Sequence, residues 1–297
     1  MGHSQSKSPD MGRSQSKPEP PVFEKPWRRI EWGKISEDLE FVRNYKPEFE
    51  GQKLRILLHG PEAAGKSSFI NSVQSVLKGR IYSQALADNC SCSSFTKEYT
   101  TYKIVREDRS FCPFVFCDIM GLSERGGVLE EDIKLALKGH VKEGYKFNPA
   151  SQLPESHESY QKNPTPNDTV HVLVCIIPAD NLDLMSDEVV GKIRRIREDA
   201  RDHYISQIAI LTKIDQVCPE LKEDLKKVYI LPHLKRKIEK FSATVGIPMS
   251  NIFPVKNYHE EIDLDDDINA LILSAMKHII NSGDDCINFH HNRFESS

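Results

Sequence analysis

Along this chain, apolar residues gather in short runs separated by longer stretches with helical spacing. The short runs are residues 53–59 (KLRILLH), 99–106, 113–118 (PFVFCD), 170–177 (VHVLVCII), 207–212 and 251–255, with the length and β-branched content of strands. Residues 68–77, 129–137, 186–203, 219–246 and 266–281 instead repeat their apolar positions every three or four residues, as helices with one buried face do. Strands interleaved with helices predict an α/β domain, a mostly parallel sheet with helices on both faces. The apolar run that starts at Val170 fits a strand buried on both sides. Runs 99–106 and 113–118 are joined by a short turn, so that pair is expected to be antiparallel, at one edge of the sheet.

The polar positions divide the chain. Residues 1–21 are rich in Ser, Lys and Pro and contain a tandem repeat, MGHSQSKSPD followed by MGRSQSKPEP. Too few apolar groups are present to offset the entropy of ordering, so a disordered tail is predicted. Residues 22–52 hold both tryptophans, in KPWRRIEW, and predict a strap or short helix laid on the main domain, with an exposed partner-binding strip as the alternative. The main domain is placed at 53–283 and a flexible tail at 284–297. Within the domain, residues 145–168 contain four prolines and no periodicity, so they read as an irregular surface insertion.

Composition removes several function classes. No run approaches the ~20 apolar residues of a membrane span, and no apolar signal segment opens the chain. A net charge of −4 gives no general field for nucleic acid, and direct binding to it is not expected. Seven cysteines without a signal segment point to a reducing compartment and free thiols. Cys90, Cys92, Cys112 and Cys117 are spaced poorly for zinc. Cys112 and Cys117 flank an apolar strand, where a thiol packs as a small hydrophobe.

The candidate chemistry begins at the end of the first strand. Gly60 to Ser67, GPEAAGKS, matches G-x-x-x-x-G-K-[ST] between a predicted strand and a predicted helix. Gly60 and Gly65 let the backbone curl so that the N–H groups around Ala63, Ala64 and Ser68 point inward, and the helix N-terminus adds partial positive charge. Such a nest fits a triphosphate. Lys66 is expected to reach the β and γ phosphates and the Ser67 hydroxyl to ligate Mg²⁺.

Two later motifs turn a phosphate loop into a guanine site. Asp118 ends its strand and opens D-x-x-G with Gly121; the carboxylate is suited to holding Mg²⁺ through water, and the Gly121 N–H to meeting a γ-phosphate. Thr212-Lys213-Ile214-Asp215 ends another strand. Asp215 can accept from both N1–H and the exocyclic amine of guanine while the Lys213 stem covers the base; the bland alternative for Asp215 is a helix N-cap. Lys256 and Asn257, just past the last strand, stand where a backbone contact to the guanine O6 is expected. GTP or GDP with Mg²⁺ is the expected cofactor set.

Turnover is harder to read. Thr96, Thr100 and Thr101 all precede the Asp118 strand and qualify by position as the switch threonine. Leu122 follows Gly121, where a water-orienting glutamine is needed. Hydrolysis is therefore expected to be slow, or to depend on Glu124, Arg125, a second subunit or a partner. No catalytic residue is assigned.

Taken together, GPEAAGKSSFINSV, DIMGLSE, LKGHVKEGYKFNP, ILTKIDQVCPE and IFPVKNYHEEIDLDDDINALILSAM resemble the interferon-induced protein 44 and 44-like family over roughly residues 22–285. The resemblance implies a P-loop GTPase-like fold and a cytoplasmic, interferon-inducible guanine-nucleotide-binding protein of antiviral innate immunity. Three readings follow: a GTP-dependent switch with slow hydrolysis and a protein partner, a self-associating GTP hydrolase, or a scaffold with a vestigial site. The N-terminus adds a membrane reading. Met1-Gly2-His3-Ser4-Gln5-Ser6 matches M-G-x-x-x-[ST], repeated from Gly12, so Gly2 is a candidate for myristoylation and reversible membrane contact.

Overall fold

The computed structural model describes residues 22–83, 85 and 97–295. The 1–21 tail with Gly2 and Gly12, and also Cys90, Cys92 and Thr96, lie outside the described residues. A six-stranded sheet organises the rest. Its strands are β1 (Leu54–His59), β2 (Thr100–Val105), β3 (Phe111–Asp118), β4 (Val172–Pro178), β5 (Ser206–Thr212) and β6 (Ile252–Pro254). Their order is β2-β3-β1-β4-β5-β6. Every neighbouring pair is parallel except β2 and β3, the pair joined by the short turn.

Helices cover both faces. α1 (Ile35–Asn44), α2 (Lys66–Lys78) and α8 (Asp266–Glu295) pack on one side; α3 (Glu130–Leu137), α4 (Asp187–Asp202) and α7 (Pro232–Val245) pack on the other. The short helices α5 (Ile214–Val217) and α6 (Glu220–Glu223) follow β5. β4 is buried at every position, because helices press on both of its faces. Each such side chain contributes about 1.5–3 kcal/mol of burial.

The strand order reverses at β1, which lies between β3 and β4. In open α/β sheets the crevice outside the carboxyl ends of the strands at that reversal collects ligands. Here that end is formed by His59, Asp118 and Thr212, the last residues of β1, β3 and β5.

Two segments near the termini are held by particular contacts. Arg28 lies over the rings of Trp27, Tyr229 and Phe253. Its guanidinium donates to the carbonyls of Ile252 (2.6 Å) and Met249. The strap thus shields the β6 edge, which would otherwise offer unpaired backbone groups to another chain. Both tryptophans pack against the core rather than standing out as a strip.

The last helix corrects the expectation of a flexible tail at 284–297, because α8 continues to Glu295. Buried positions recur at Ile279, Ile280, Gly283, Cys286 and Ile287, so the helical stripe persists where the composition turns polar. A Cβ at Gly283 would come within 2.2 Å of Leu54 Cδ1, which shows how closely the helix lies on β1.

Residues 145–168 contain no helix or strand, yet they are tied down. Asp132 on α3 accepts from the Leu153 N–H (2.8 Å) and the Tyr145 hydroxyl (3.4 Å). Backbone bonds from Tyr99 to Tyr145 and from Phe147 to Lys97 join the insertion to the approach of β2.

Candidate nucleotide site

The loop after β1 has the conformation that its glycines permit. Gly60 has φ +140° and Gly65 φ +90°, and a Cβ on Gly60 would lie 2.0 Å from the Ile176 carbonyl oxygen. Ala63 is also left-handed, at φ +54°. This is a strained backbone for an alanine, of the kind held in place only when the surroundings fix it. Part of that fixing comes from β5: the Thr212 hydroxyl donates to the Ala64 carbonyl at 2.7 Å. Thr212 therefore serves the loop from behind.

Lys66 lies inside the loop and donates to the Pro61 carbonyl at 3.0 Å and the Gly60 carbonyl at 3.4 Å. Burial pulls its ammonium down from the usual lysine range, against the nearby carboxylates of Asp118 and Glu62. His59 beneath it is pushed down to about 3, first by burial and then by Lys66, and is neutral. The Ser67 hydroxyl donates to Asp118 Oδ2 at 2.7 Å, across 51 residues of sequence. Two hard oxygen donors are thus together at the open end of the sheet, as Mg²⁺ coordination requires.

The D-x-x-G segment is locked onto this loop. The Leu122 N–H donates to Gly60 O at 2.9 Å, and its carbonyl accepts from the Glu62 N–H at 3.3 Å. Leu122 is only 2% exposed. A Cβ on Gly121 would be 2.6 Å from Glu62 Cγ, so this glycine permits the close approach. Lys192 on α4 donates to the Ser123 carbonyl at 2.8 Å, while Glu124 and Arg125 remain exposed. Of the threonines, Thr101 is held near Arg55 (3.5 Å), and Thr100 pairs across the ladder with Asp118.

A cavity of about 610 Å³ opens beside the loop. Ala63, Gly65 and Ser68 line it from the phosphate side, and Lys213, Asp215, Lys256 and Asn257 from the far side. Lys213 is left-handed at φ +55° and is itself the cap of α5, so Asp215 is not the N-cap. Among the described residues the Asp215 carboxylate has no hydrogen-bond or ion-pair partner. Asn257 donates to the Gly65 carbonyl at 3.2 Å, while its Oδ1 is buried without a protein partner. A buried acceptor of this kind is costly unless a ligand donor meets it. The site therefore fits a nucleotide with Mg²⁺: glycines where the phosphates need room, paired oxygens for the cation and unengaged acceptors for a base.

Several cavity residues lie within the IFPVKNYHEEIDLDDD segment but were not assigned to the site from the sequence. Glu261 pairs with Lys256 at 2.7 Å and accepts from the His259 and Glu260 N–H groups. Burial opposes its charge, but these donors hold the carboxyl down at about 2. The loop after β6 is thereby closed into a wall. Tyr258 pins it further, its N–H donating to Ser72 on α2 at 2.9 Å and its hydroxyl to Asn269 on α8 at 2.8 Å. A carboxylate five positions after a lysine was the available sequence signal for Glu261, and it was too common to use. Of the four cysteines weighed as zinc ligands, Cys112 and Cys117 are buried in β3, and Cys90 and Cys92 lie outside the described residues.

No family model matches the chain. Interferon-induced protein 44 of Mus musculus is 38% identical over 244 residues, covering 82% of this chain and 58% of that protein. Interferon-induced protein 44-like of Homo sapiens is 29% identical over 248 residues, covering 82% of this chain and 55% of that protein. The chain thus spans a little over half the length of the curated relatives it matches. Among solved structures, Toc33 from Arabidopsis thaliana in complex with GDP and Mg²⁺ is 15% identical, with a TM-score of 0.45, covering 85% of this chain and 96% of that one.

Proposed function

Across 82% of its length the chain is a homologue of the interferon-induced protein 44 and 44-like proteins, and from that premise we propose a guanine-nucleotide-binding switch of the interferon-induced antiviral response. The observation that carries the nucleotide reading is one cavity lined both by the phosphate loop and by Lys213 and Asp215. Gly60, Gly65 and the amides around Ala63, Ala64 and Ser68 form the phosphate cradle, with Lys66 as its cation. Ser67 and Asp118 would hold Mg²⁺, which when bound neutralises charge on the β and γ phosphates. Asp215 reads the N1–H and amine of guanine, and adenine lacks that donor pair.

The same geometry makes turnover slow. Leu122 is apolar, buried and fixed by its backbone to Gly60 and Glu62, so no side chain there orients water. Binding and hydrolysis are thereby separable: the site holds nucleotide while the attacking water is left unguided. That gap favours a second reading, in which another copy or a partner supplies the missing group. Turnover per molecule measured against protein concentration separates the two, rising only if subunits complete the site. In the same proposal the protein is cytoplasmic and visits membranes through a myristoyl chain on Gly2, which intact-mass analysis would detect. Asp215→Asn tests the base assignment. It should weaken GDP and GTP binding and admit xanthine nucleotides, and unchanged guanine affinity would refute it.

A further inference from the structure

At the opposite end of the sheet lies a second cavity, of about 400 Å³. Gln52, His171 and Ile205, which line it, immediately precede or approach the starts of β1, β4 and β5. It is therefore on the order of 20 Å from the nucleotide site, the length of the central strands. Its floor is apolar, formed by Phe49, Leu137, Val170, Ile205 and Ile287. Ile287 belongs to the part of α8 beyond residue 281, and Phe49 stacks on His291 of the same helix with ring centroids 3.7 Å apart.

The rim differs in charge from the rest of the protein. The chain carries a net charge of −4, yet among the described residues no Asp or Glu lines this cavity, whereas Lys138 does, with His171, His203, His290 and His291 beside it. Nearby, Asp168 accepts from Thr165 at 2.7 Å, and Asp199 lies 3.6 Å from His203, so that histidine already faces a carboxylate and Lys138 is the group left to meet an anion. His171 is 4% exposed, and its Nδ1 accepts from the Arg55 N–H at 3.0 Å, which leaves Nε2 to carry the ring proton. The four histidines are not arranged for a metal, since no such cluster is present among the described residues. An apolar hollow in this size range with a few convergent polar groups is the form of a small-molecule site. Lys138, the one lysine or arginine among the described residues that line it, supplies the charge that selects an anion.

We propose that this cavity binds a small carboxylic acid with an apolar tail, of the class of a medium-chain fatty acid. The tail lies against Val170, Ile205 and Ile287, and the carboxylate faces Lys138. Nothing in this site depends on the nucleotide reading.

The test is calorimetric titration of the full chain with decanoate below its micellar concentration, with decanol as the uncharged control. Saturable one-to-one binding of decanoate is expected, at least tenfold tighter than decanol. Lys138→Gln, a half-buried rim change that leaves the core intact, should weaken decanoate about tenfold and leave decanol unchanged. Ile287→Trp, which fills the hollow, should abolish binding of both; if that variant does not fold, the Lys138→Gln result decides. No saturable binding by the wild type, equal affinity for decanoate and decanol, or decanoate binding indifferent to Lys138→Gln would overturn the proposal.

Discussion

The two ends of this sheet are built from the same strands, yet their construction differs. At the carboxyl end, the residues that matter come from contiguous motifs and are held by backbone: left-handed Gly60, Ala63 and Gly65, and the pairing of Leu122 with Gly60 and Glu62. At the amino end, the second cavity is assembled from side chains of separate segments, including the strap, α3, the insertion and the end of α8. One end is fixed by main-chain geometry and tolerates little change. The other is fixed by packing, and should yield by degrees.

The largest difference is expected between two glycine substitutions. Gly60→Ala sets a Cβ 2.0 Å from a backbone oxygen at φ +140°, so neither neighbour nor dihedral can give. Gly283→Ala meets the end of the Leu54 side chain, which can move. Denaturant titration should show Gly60→Ala losing more than about 4 kcal/mol, and Gly283→Ala about 1–3 kcal/mol. Equal losses would break the contrast.

Acid should affect both ends, through one buried histidine each. Burial, then His290 and Arg55, lowers His171 to about 4; burial, then Lys66, lowers His59 to about 3, both from 6.5. The unfolded chain binds protons that these rings refuse in the folded state. Their contribution is therefore complete above about pH 6.5, and stability falls as pH drops toward 4 and then 3, by on the order of 3 kcal/mol for His171 and about 5 kcal/mol for His59. His171→Asn and His59→Asn should each flatten melting temperature against pH over that interval. An unchanged profile in either variant would exclude that ring.

Lys66→Ala sharpens the comparison in function. Loss of a charge-assisted contact to phosphate should weaken nucleotide binding about 100-fold, or ~2.7 kcal/mol. Decanoate binding at the other end should stay the same. A parallel loss at both ends would show the sites to be coupled.

How far each end was legible in the sequence follows from this difference. Local motifs carried the phosphate loop, Asp118 and Asp215, because short-range chemistry dictates their spacing. The mostly parallel sheet was legible as a class, and the antiparallel β2–β3 edge could be read from its short turn, whereas the strand order was not read. The continuation of α8 was missed because Asp284, Asp285 and the histidines mask a buried stripe of Gly283, Cys286 and Ile287. The Glu261 to Lys256 bridge and the second cavity depend on tertiary placement, which periodicity does not encode.

The central claim is a guanine site, and competition against a fluorescent GDP probe in Mg²⁺ tests it most directly. GDP and GTP should displace the probe from the full chain at similar concentrations, with ATP at least 100-fold weaker, because adenine leaves the Asp215 carboxylate without its donor pair. ATP competing as well as GTP, or no probe binding at all, would contradict the account.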